Sequence, residues 1–243
     1  MGVSFLKGIP ALMIEKERLI AVGDLHIGME EKFSNSGIEF PNAARATGRE
    51  IRGICESNSA NGVVFLGDVK DSIANMTKEG MDSIRTFFRE LDGINVIIAK
   101  GNHDAHIESL IGEMGFKAEI KKEILLSECA LMHGNAMPSD DAVLRKYIIC
   151  GHAHMAAHVN GIDRKAWLVA PAGGGMKEHY KSYNKSIKLI AAPAFNRLII
   201  GSRMSYETRE HLPMLNNNLF DFEKVEAYDT YGNKLKIGPL QPT

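Results

Sequence analysis

Arg18-Leu19-Ile20-Ala21-Val22-Gly23-Asp24-Leu25-His26 is an apolar run that stops at a glycine and then presents two polar side chains separated by one leucine. A short run rich in Val, Ile and Leu, bounded by glycine, reads as a buried strand that feeds a functional loop. The arrangement recurs downstream. Val63 to Leu66 precedes Gly67-Asp68, Asn95 to Ala99 precedes Gly101-Asn102-His103-Asp104, Ala130 to Met132 precedes His133-Gly134, and Tyr147 to Cys150 precedes Gly151-His152-Ala153-His154. In α/β sheets ligand sites form outside the carboxyl ends of strands, so these polar clusters are expected to converge on one edge.

Helical patterns fill the intervals. Pro41 to Ser57 begins with proline at the first turn and carries Ala43, Ala44, Ile51 and Ile54 on one face. Lys78 to Leu91 spaces Met81, Ile84, Phe87, Phe88 and Leu91 as a helix does, and Glu108 to Met114 is a shorter candidate. Further strands are expected at Trp167 to Ala170, Ile187 to Ala191 and Arg197 to Gly201. Tyr231-Gly232-Asn233, between Val225–Tyr228 and Leu235–Ile237, reads as a hairpin turn. Tyr206 to Asn218, polar and containing Pro213 and three consecutive asparagines, reads as a long loop. Alternation in the first half and strands in the second favour an α/β fold with sheets inside and helices outside. No repeat or linker-like shift divides the chain. One domain over 1–243 is expected, with a motif core over 18–201 and a C-terminal loop and hairpin over 202–243.

With 44% hydrophobic and 24% charged residues, the composition is that of a globular protein. The 29 basic and 30 acidic residues nearly cancel, which leaves no global positive field to hold nucleic acid non-specifically. Of the cysteines Cys55, Cys129 and Cys150, two lie in apolar runs, which points to buried thiols in a reducing compartment. The N-terminal MGVSFLKGIP lacks the apolar stretch of a signal peptide, and no segment has the roughly 18 apolar residues of a membrane span. A cytoplasmic location without a membrane partner is the expectation.

Two divalent ions about 3.5 to 4 Å apart need mixed nitrogen and oxygen ligands and a carboxylate able to bridge them. The strand-end clusters supply Asp24, His26, Asp68, Asn102, His133, His152 and His154. Taken as extended segments, Asp24-Leu25-His26 and His152-Ala153-His154 each turn two side chains to one face. Singly, each piece has an ordinary reading: a capping Asp, a turn pair, a structural His. The ordered set is what points to metal.

That set, D-x-H, G-D, G-N-H-D, H and G-H-x-H, resembles the calcineurin-like metallophosphoesterase superfamily. More narrowly, Asp24-Leu25-His26-Ile27-Gly28-Met29-Glu30, Gly67-Asp68-Val69-Lys70 and Pro193-Ala194-Phe195-Asn196 resemble a branch of small prokaryotic, archaeal-type phosphoesterases related to SbcD nucleases. The resemblance implies a four-layer αββα sandwich, with two mixed central sheets flanked by helices. It also implies that Asp24, His26 and His154 bind one metal, that Asn102, His133 and His152 bind the second, and that Asp68 bridges them. His103 would face the leaving group, oriented by Asp104. Two departures stand out: Asp71 is followed by Ser72-Ile73 instead of the longer D-x-x-D-x-G pattern, leaving Asp71 without an assigned role, and Asn135 stands where another His is expected.

The expected reaction is in-line hydrolysis of a phosphate ester by a hydroxide bridging the metals, with His103 as acid and Asp104 supporting it. No Cys or Ser is assigned as nucleophile. The cofactors would be two divalent ions, Mn²⁺ first, with Fe, Zn, Ni or Mg as alternatives. A phosphodiester substrate, with DNA or RNA as a candidate, follows from the resemblance. A phosphomonoester or nucleotide fits the motifs as well, and a non-catalytic, metal-stabilised binding module is the reading from another class. Oligomeric state is not legible. Lys70, Arg145 and Lys146 are the nearest basic residues in sequence, and solvated surface charge is the default for each. His106, His158 and His179 are rim or surface candidates, and Gly173-Gly174-Gly175 is a tight loop without a following helix, not a phosphate cradle.

Overall fold

The computed structural model describes residues 2–34, 37–72, 76–205 and 209–236. The alternating apolar runs sort themselves into two sheets. In the first, β1 (Val3–Phe5), β2 (Leu12–Ile14), β3 (Leu19–Val22), β4 (Gly62–Phe65), β5 (Val96–Ala99) and β6 (Ala118–Lys121) lie in chain order. The β1–β2 and β2–β3 pairs are antiparallel, and β3 through β6 are parallel. The crossovers carry α1 (Glu31–Ser34), α2 (Ala43–Ser57), α3 (Lys78–Glu90) and α4 (Ile107–Glu113).

The second sheet begins with β7 (Glu123–Leu125), β8 (Cys129–Met132) and β9 (Tyr147–Cys150). It is completed by β12 (Trp167–Pro171), β13 (Lys188–Ala191), β15 (Glu226–Tyr228) and β16 (Lys234–Leu235), in the order β16-β15-β12-β13-β9-β8-β7. Here β8, β9 and β13 run parallel and the remaining pairs are antiparallel. A small third sheet joins β10 (Met155–Val159), β11 (Ile162–Lys165) and β14 (Ser202–Arg203).

Side-chain alternation along each strand builds the layers. In β3, Leu19 and Ala21 face the second sheet, while Ile20 and Val22 face the helices. In β5, Ile97 and Ala99 point inward and Val96 and Ile98 outward. In the second sheet, Cys129, Leu131, Ile149, Trp167 and Ile190 meet that inner layer, and Ala130, Met132, Ile148, Leu168 and Leu189 face the opposite side. Both faces of both sheets are therefore apolar, which is why these strands read as continuous hydrophobic runs. The outer layer on the first sheet is α2 and α3, presenting Ile51, Ile54, Ile84, Phe87 and Phe88. On the second sheet the cover is thinner: Met176 from α5 (Gly175–His179), Met214 and Leu215 from the short helix Pro213–Asn216, and Phe220 and Phe222.

Several expectations change. Arg197 to Gly201 is a turn, not a strand, because Asn196 accepts from Leu198 N through Oδ1 at 2.8 Å and from Ile199 N through its carbonyl at 3.2 Å. The strand starts after it, at Ser202. Within the expected loop over 206–218, residues 206–208 lie outside the described residues, and Pro213–Asn216 is helical, with proline at its start. Ile237 of the C-terminal hairpin also lies outside them, while β15 and β16 do pair. The triple glycine does lead into a helix, the five-residue α5, and Gly173 N and Gly175 N donate to the carbonyls of Leu219 and Asn218. No helix among the described residues is long and apolar enough to cross a membrane.

Candidate metal centre

Asp24 and His26 follow β3, Asp68 follows β4, and Asn102 to Asp104 follow β5, all leaving the first sheet at the carboxyl end of its parallel strands. His133 follows β8, and His152 and His154 follow β9, at the corresponding end of the second sheet. The two groups meet. His26 Nε2 lies 3.1 Å from His154 Nε2 and 3.7 Å from Asp68 Oδ2. His154 Nε2 is 3.3 Å from Asp24 Oδ1, and His133 Nε2 is 3.3 Å from Asp68 Oδ2. His133 Nε2 also lies 3.0 Å from both Asn102 Oδ1 and His152 Nδ1.

The loops reach this arrangement by a route the sequence reading did not foresee. Instead of extended segments, Asp24, His26, Asp68, His152 and His154 all have left-handed backbones, with φ of 57°, 42°, 49°, 70° and 44°. Non-glycine residues in this region cost on the order of 1–3 kcal/mol each and persist only where the surroundings enforce them. Hydrogen bonds between loops do so here: Asp24 N donates to Gly67 O (3.2 Å), His26 N to Asp68 O (2.9 Å), and Ser202 N to His154 O (2.9 Å).

The chemistry of the donor set fits cations. Asp24 is 0% exposed and Asp68 2% exposed, and a buried carboxylate needs a compensating positive charge. His133 Nδ1 donates to the Leu66 carbonyl at 2.8 Å, which fixes Nε2 as the lone-pair nitrogen in the neutral ring. That lone pair faces His152, whose pKa burial and the neighbouring His133 push down to about 4. Imidazole nitrogens facing each other at 3.0 to 3.1 Å are reconciled by a proton or a metal between them. Among the described residues three sets of donor atoms each gather within 4.8 Å: Asp24/His26/Asp68/His154, Asp68/His133/His152 and the less buried His26/Asp71/His103; Asp68 belongs to the two more buried sets.

His103 and Asp104 sit differently from expectation. Asp104 is fully buried and receives Val69 N (2.8 Å) and Lys70 N (3.4 Å) on Oδ1 and Gly101 N (2.9 Å) on Oδ2. It ties the loop after β4 to the loop after β5 rather than orienting the His103 ring. That ring rests on the Asp71 carbonyl, 2.5 Å from Nδ1, and its Nε2 is 4.0 Å from Asp68 Oδ2. Asp71, left without a role by the sequence reading, thus supports His103 through its backbone. Its carboxylate stands 3.5 Å from the otherwise unpartnered Nδ1 of His26 and 2.7 Å from Lys32 Nζ. A carboxylate behind a metal-binding His is a common orienting device. The three-residue spacing from Asp68 was the available signal.

Lys70 is not a surface charge: it is 2% exposed, with Nζ bonded to the Ser72 carbonyl. Arg145 and Lys146 stand at the start of β9, the end away from His152, where Lys146 lies over the Tyr147 ring. His158 is a surface residue paired with Asp163 at 2.7 Å, and His106 is an exposed residue at the start of α4.

Glycine is required by space at Gly101, where an added Cβ would overlap Asp68 Oδ1 and the Asp68 backbone nitrogen. Gly101→Ala is expected to displace Asp68 and to cost about 1–3 kcal/mol of stability, the range for overpacking. Thermal unfolding and metal content measured on the same sample check this. Unchanged values of both would show that the loop after β5 yields freely.

A buried carboxylate-histidine cluster at the carboxyl ends of two packed mixed sheets is the donor set of a metal-dependent hydrolase. The sequence pattern of the family described as calcineurin-like phosphoesterase matches residues 17–170, which contain all of the donors named above, and the chain belongs to that family. It is a metal-dependent phosphoesterase. No curated protein matches the chain. Among solved structures, a Pseudomonas putida nuclease, MPE, is similar at 13% identity over 96% of this chain and 100% of that one, with a TM-score of 0.63, a likeness in fold. A phosphoesterase from E. coli, Yfce, is 12% identical over 92% of this chain and 99% of that one, with a TM-score of 0.38.

Proposed function

We propose that this phosphoesterase is a dinuclear phosphodiesterase, with nucleic acid, DNA or RNA, among its candidate substrates. Asp24, His26 and His154 would hold one divalent ion, Asn102, His133 and His152 the other, and Asp68 both. The observation that carries this reading is the membership of Asp68 in both buried donor sets. Bound divalent cations supply charge neutralisation at phosphoryl oxygens and lower the pKa of water. Mn²⁺ is the first choice for a mixed nitrogen and carboxylate set, with Fe, Zn, Ni and Mg as alternatives. The three buried free cysteines support a reducing, cytoplasmic setting.

His103 is assigned as the acid. Protonated, its ring donates Nδ1–H to the Asp71 carbonyl and keeps Nε2–H for the leaving oxygen. Asp104 holds the loop that carries it. The preference for a diester draws on the likeness to a nuclease; a monoesterase is the competing reading.

Metal-free protein reconstituted with Mn²⁺ and assayed on bis-p-nitrophenyl phosphate, p-nitrophenyl phosphate and single-stranded DNA separates these. Two ions per chain and diester turnover above monoester turnover are expected. Preference for the monoester, or one ion per chain, would overturn the proposal. His103→Asn is expected to slow turnover by about 10²–10⁴-fold, the range for a lost general acid, with metal content unchanged. Loss of metal in that variant would make His103 a ligand instead.

A further inference from the structure

Pro193-Ala194-Phe195-Asn196 supplies no donor to the cluster, yet it grips the turn that carries Asp24 and His26. Phe195 N donates to Gly23 O at 2.8 Å, and Asn196 N to Asp24 O at 3.3 Å. The Asn196 side-chain amide donates to Leu25 O at 2.8 Å and to His26 O at 3.4 Å. Consecutive carbonyls from Gly23 to His26 are therefore all engaged by one short segment.

That segment has its own anchor. Lys165, at the end of β11, directs Nζ at the carbonyls of Ala194 (2.7 Å), Phe195 (3.5 Å) and Asn196 (2.6 Å). An ammonium has three N–H donors in a compact head, and here three carbonyls of a single turn receive them. The chain of contacts runs from the small third sheet, through Lys165 and Asn196, to the left-handed residues Asp24 and His26. Asn102 and His133 receive none of these hydrogen bonds; the other ligand set is reached only at second hand, through the Asp24 carboxylate, which accepts from His152 N at 3.1 Å, and the Asp68 carbonyl, which accepts from His26 N at 2.9 Å.

We propose that Lys165 and Asn196 form a clamp that holds the Asp24–His26 turn in its strained backbone conformation and so sets the affinity of the metal site built on that turn far more than that of the other. Both are positioning residues: neither touches a reacting atom. The inference rests on the assignment of Asp24 and His26 to one of two ions.

Two variants test it on the full chain. Asn196→Asp keeps the oxygen that accepts from Leu198 N and removes the amide donors to the turn. Lys165→Met keeps the length of the stem and removes all three donors. Metal-free protein is titrated with Mn²⁺ by calorimetry, with free Mn²⁺ followed by electron paramagnetic resonance. The wild type should bind two ions. Each variant is expected to lose about 10- to 100-fold in affinity at one site, the range for residues that orient metal ligands, and distinctly less at the other. Lys165→Arg, which retains a cationic multiple donor, is expected to recover most of that loss. Parallel weakening of both sites, or no weakening, would overturn the clamp. A wild type that binds fewer than two ions would instead overturn the dinuclear assignment beneath it.

Discussion

Asp68→Asn is expected to strip both ions and to reduce turnover by on the order of 10³-fold, the equivalent of several kcal/mol of lost charge stabilisation. Asp68 is the one carboxylate common to both donor sets, and it is almost fully enclosed. Burial alone would raise its pKa, but with no metal bound a protonated His133 ring, 3.3 Å from Oδ2, and the His103 N–H, which donates to Oδ1 at 2.9 Å, hold it at about 2. Asn preserves the shape and can still accept from His103 N, but it removes the charge and turns an amide toward His133 and His26. Metal analysis of the purified variant alongside turnover of bis-p-nitrophenyl phosphate gives the answer. Retention of two Mn²⁺ per chain would remove Asp68 from the bridging position.

Trp167→Ala is expected to cost about 3–5 kcal/mol, the range for emptying a large aromatic site in a core. Native domains are stable by only about 5–15 kcal/mol, so this one change removes a large share. Trp167 is fully buried between the two sheets and stacks on Phe5, with ring centroids 4.9 Å apart and planes inclined by 23°. Its indole Nε1 is buried without a hydrogen-bond partner. Trp167→Phe should therefore cost distinctly less than alanine. It keeps an aromatic face against Phe5 and removes a donor whose burial is itself unfavourable. Denaturant unfolding of both variants decides the matter, and equal losses would show that ring stacking at this position contributes little.

Much of this could be read before any coordinates. The strands that deliver the cluster were legible because each is apolar on both faces and most stop at a glycine or a polar cluster. The long helices were legible from spacing, although Pro41, read as part of the first turn, lies before the Asn42 cap of a helix that begins at Ala43. What escaped was of two kinds. The three-residue strands β1 and β2 are too short to show a period, and the edge strand β6 carries only two apolar residues, Ala118 and Ile120. The hairpin of β10 and β11, by contrast, did carry its signal: Asn160-Gly161, with φ of 53° and 81°, is the turn pair that such a hairpin needs. In the site, side-chain identity disclosed which residues gather but not how the backbone bends to gather them. Left-handed φ at Asp24, His26, Asp68, His152 and His154 is enforced by hydrogen bonds from segments remote in sequence, and no local propensity encodes it. The partner of His103 was misjudged for the same reason. Asp104 is its neighbour in sequence, but the contact that matters comes from the Asp71 carbonyl, on a loop from the adjacent strand.

The site straddles the seam of the sandwich. Each proposed ion would draw ligands from both sheets: Asp24 and His26 from the first with His154 from the second, and Asn102 from the first with His133 and His152 from the second. Each ion would then act as a rivet between two bodies otherwise joined by side-chain packing, Trp167 on Phe5 within it, and by a few hydrogen bonds such as Phe195 N to Gly23 O. A rivet that binds only the assembled sandwich adds to its cohesion by mass action, so metal supply would govern the durability of the folded protein as well as its chemistry.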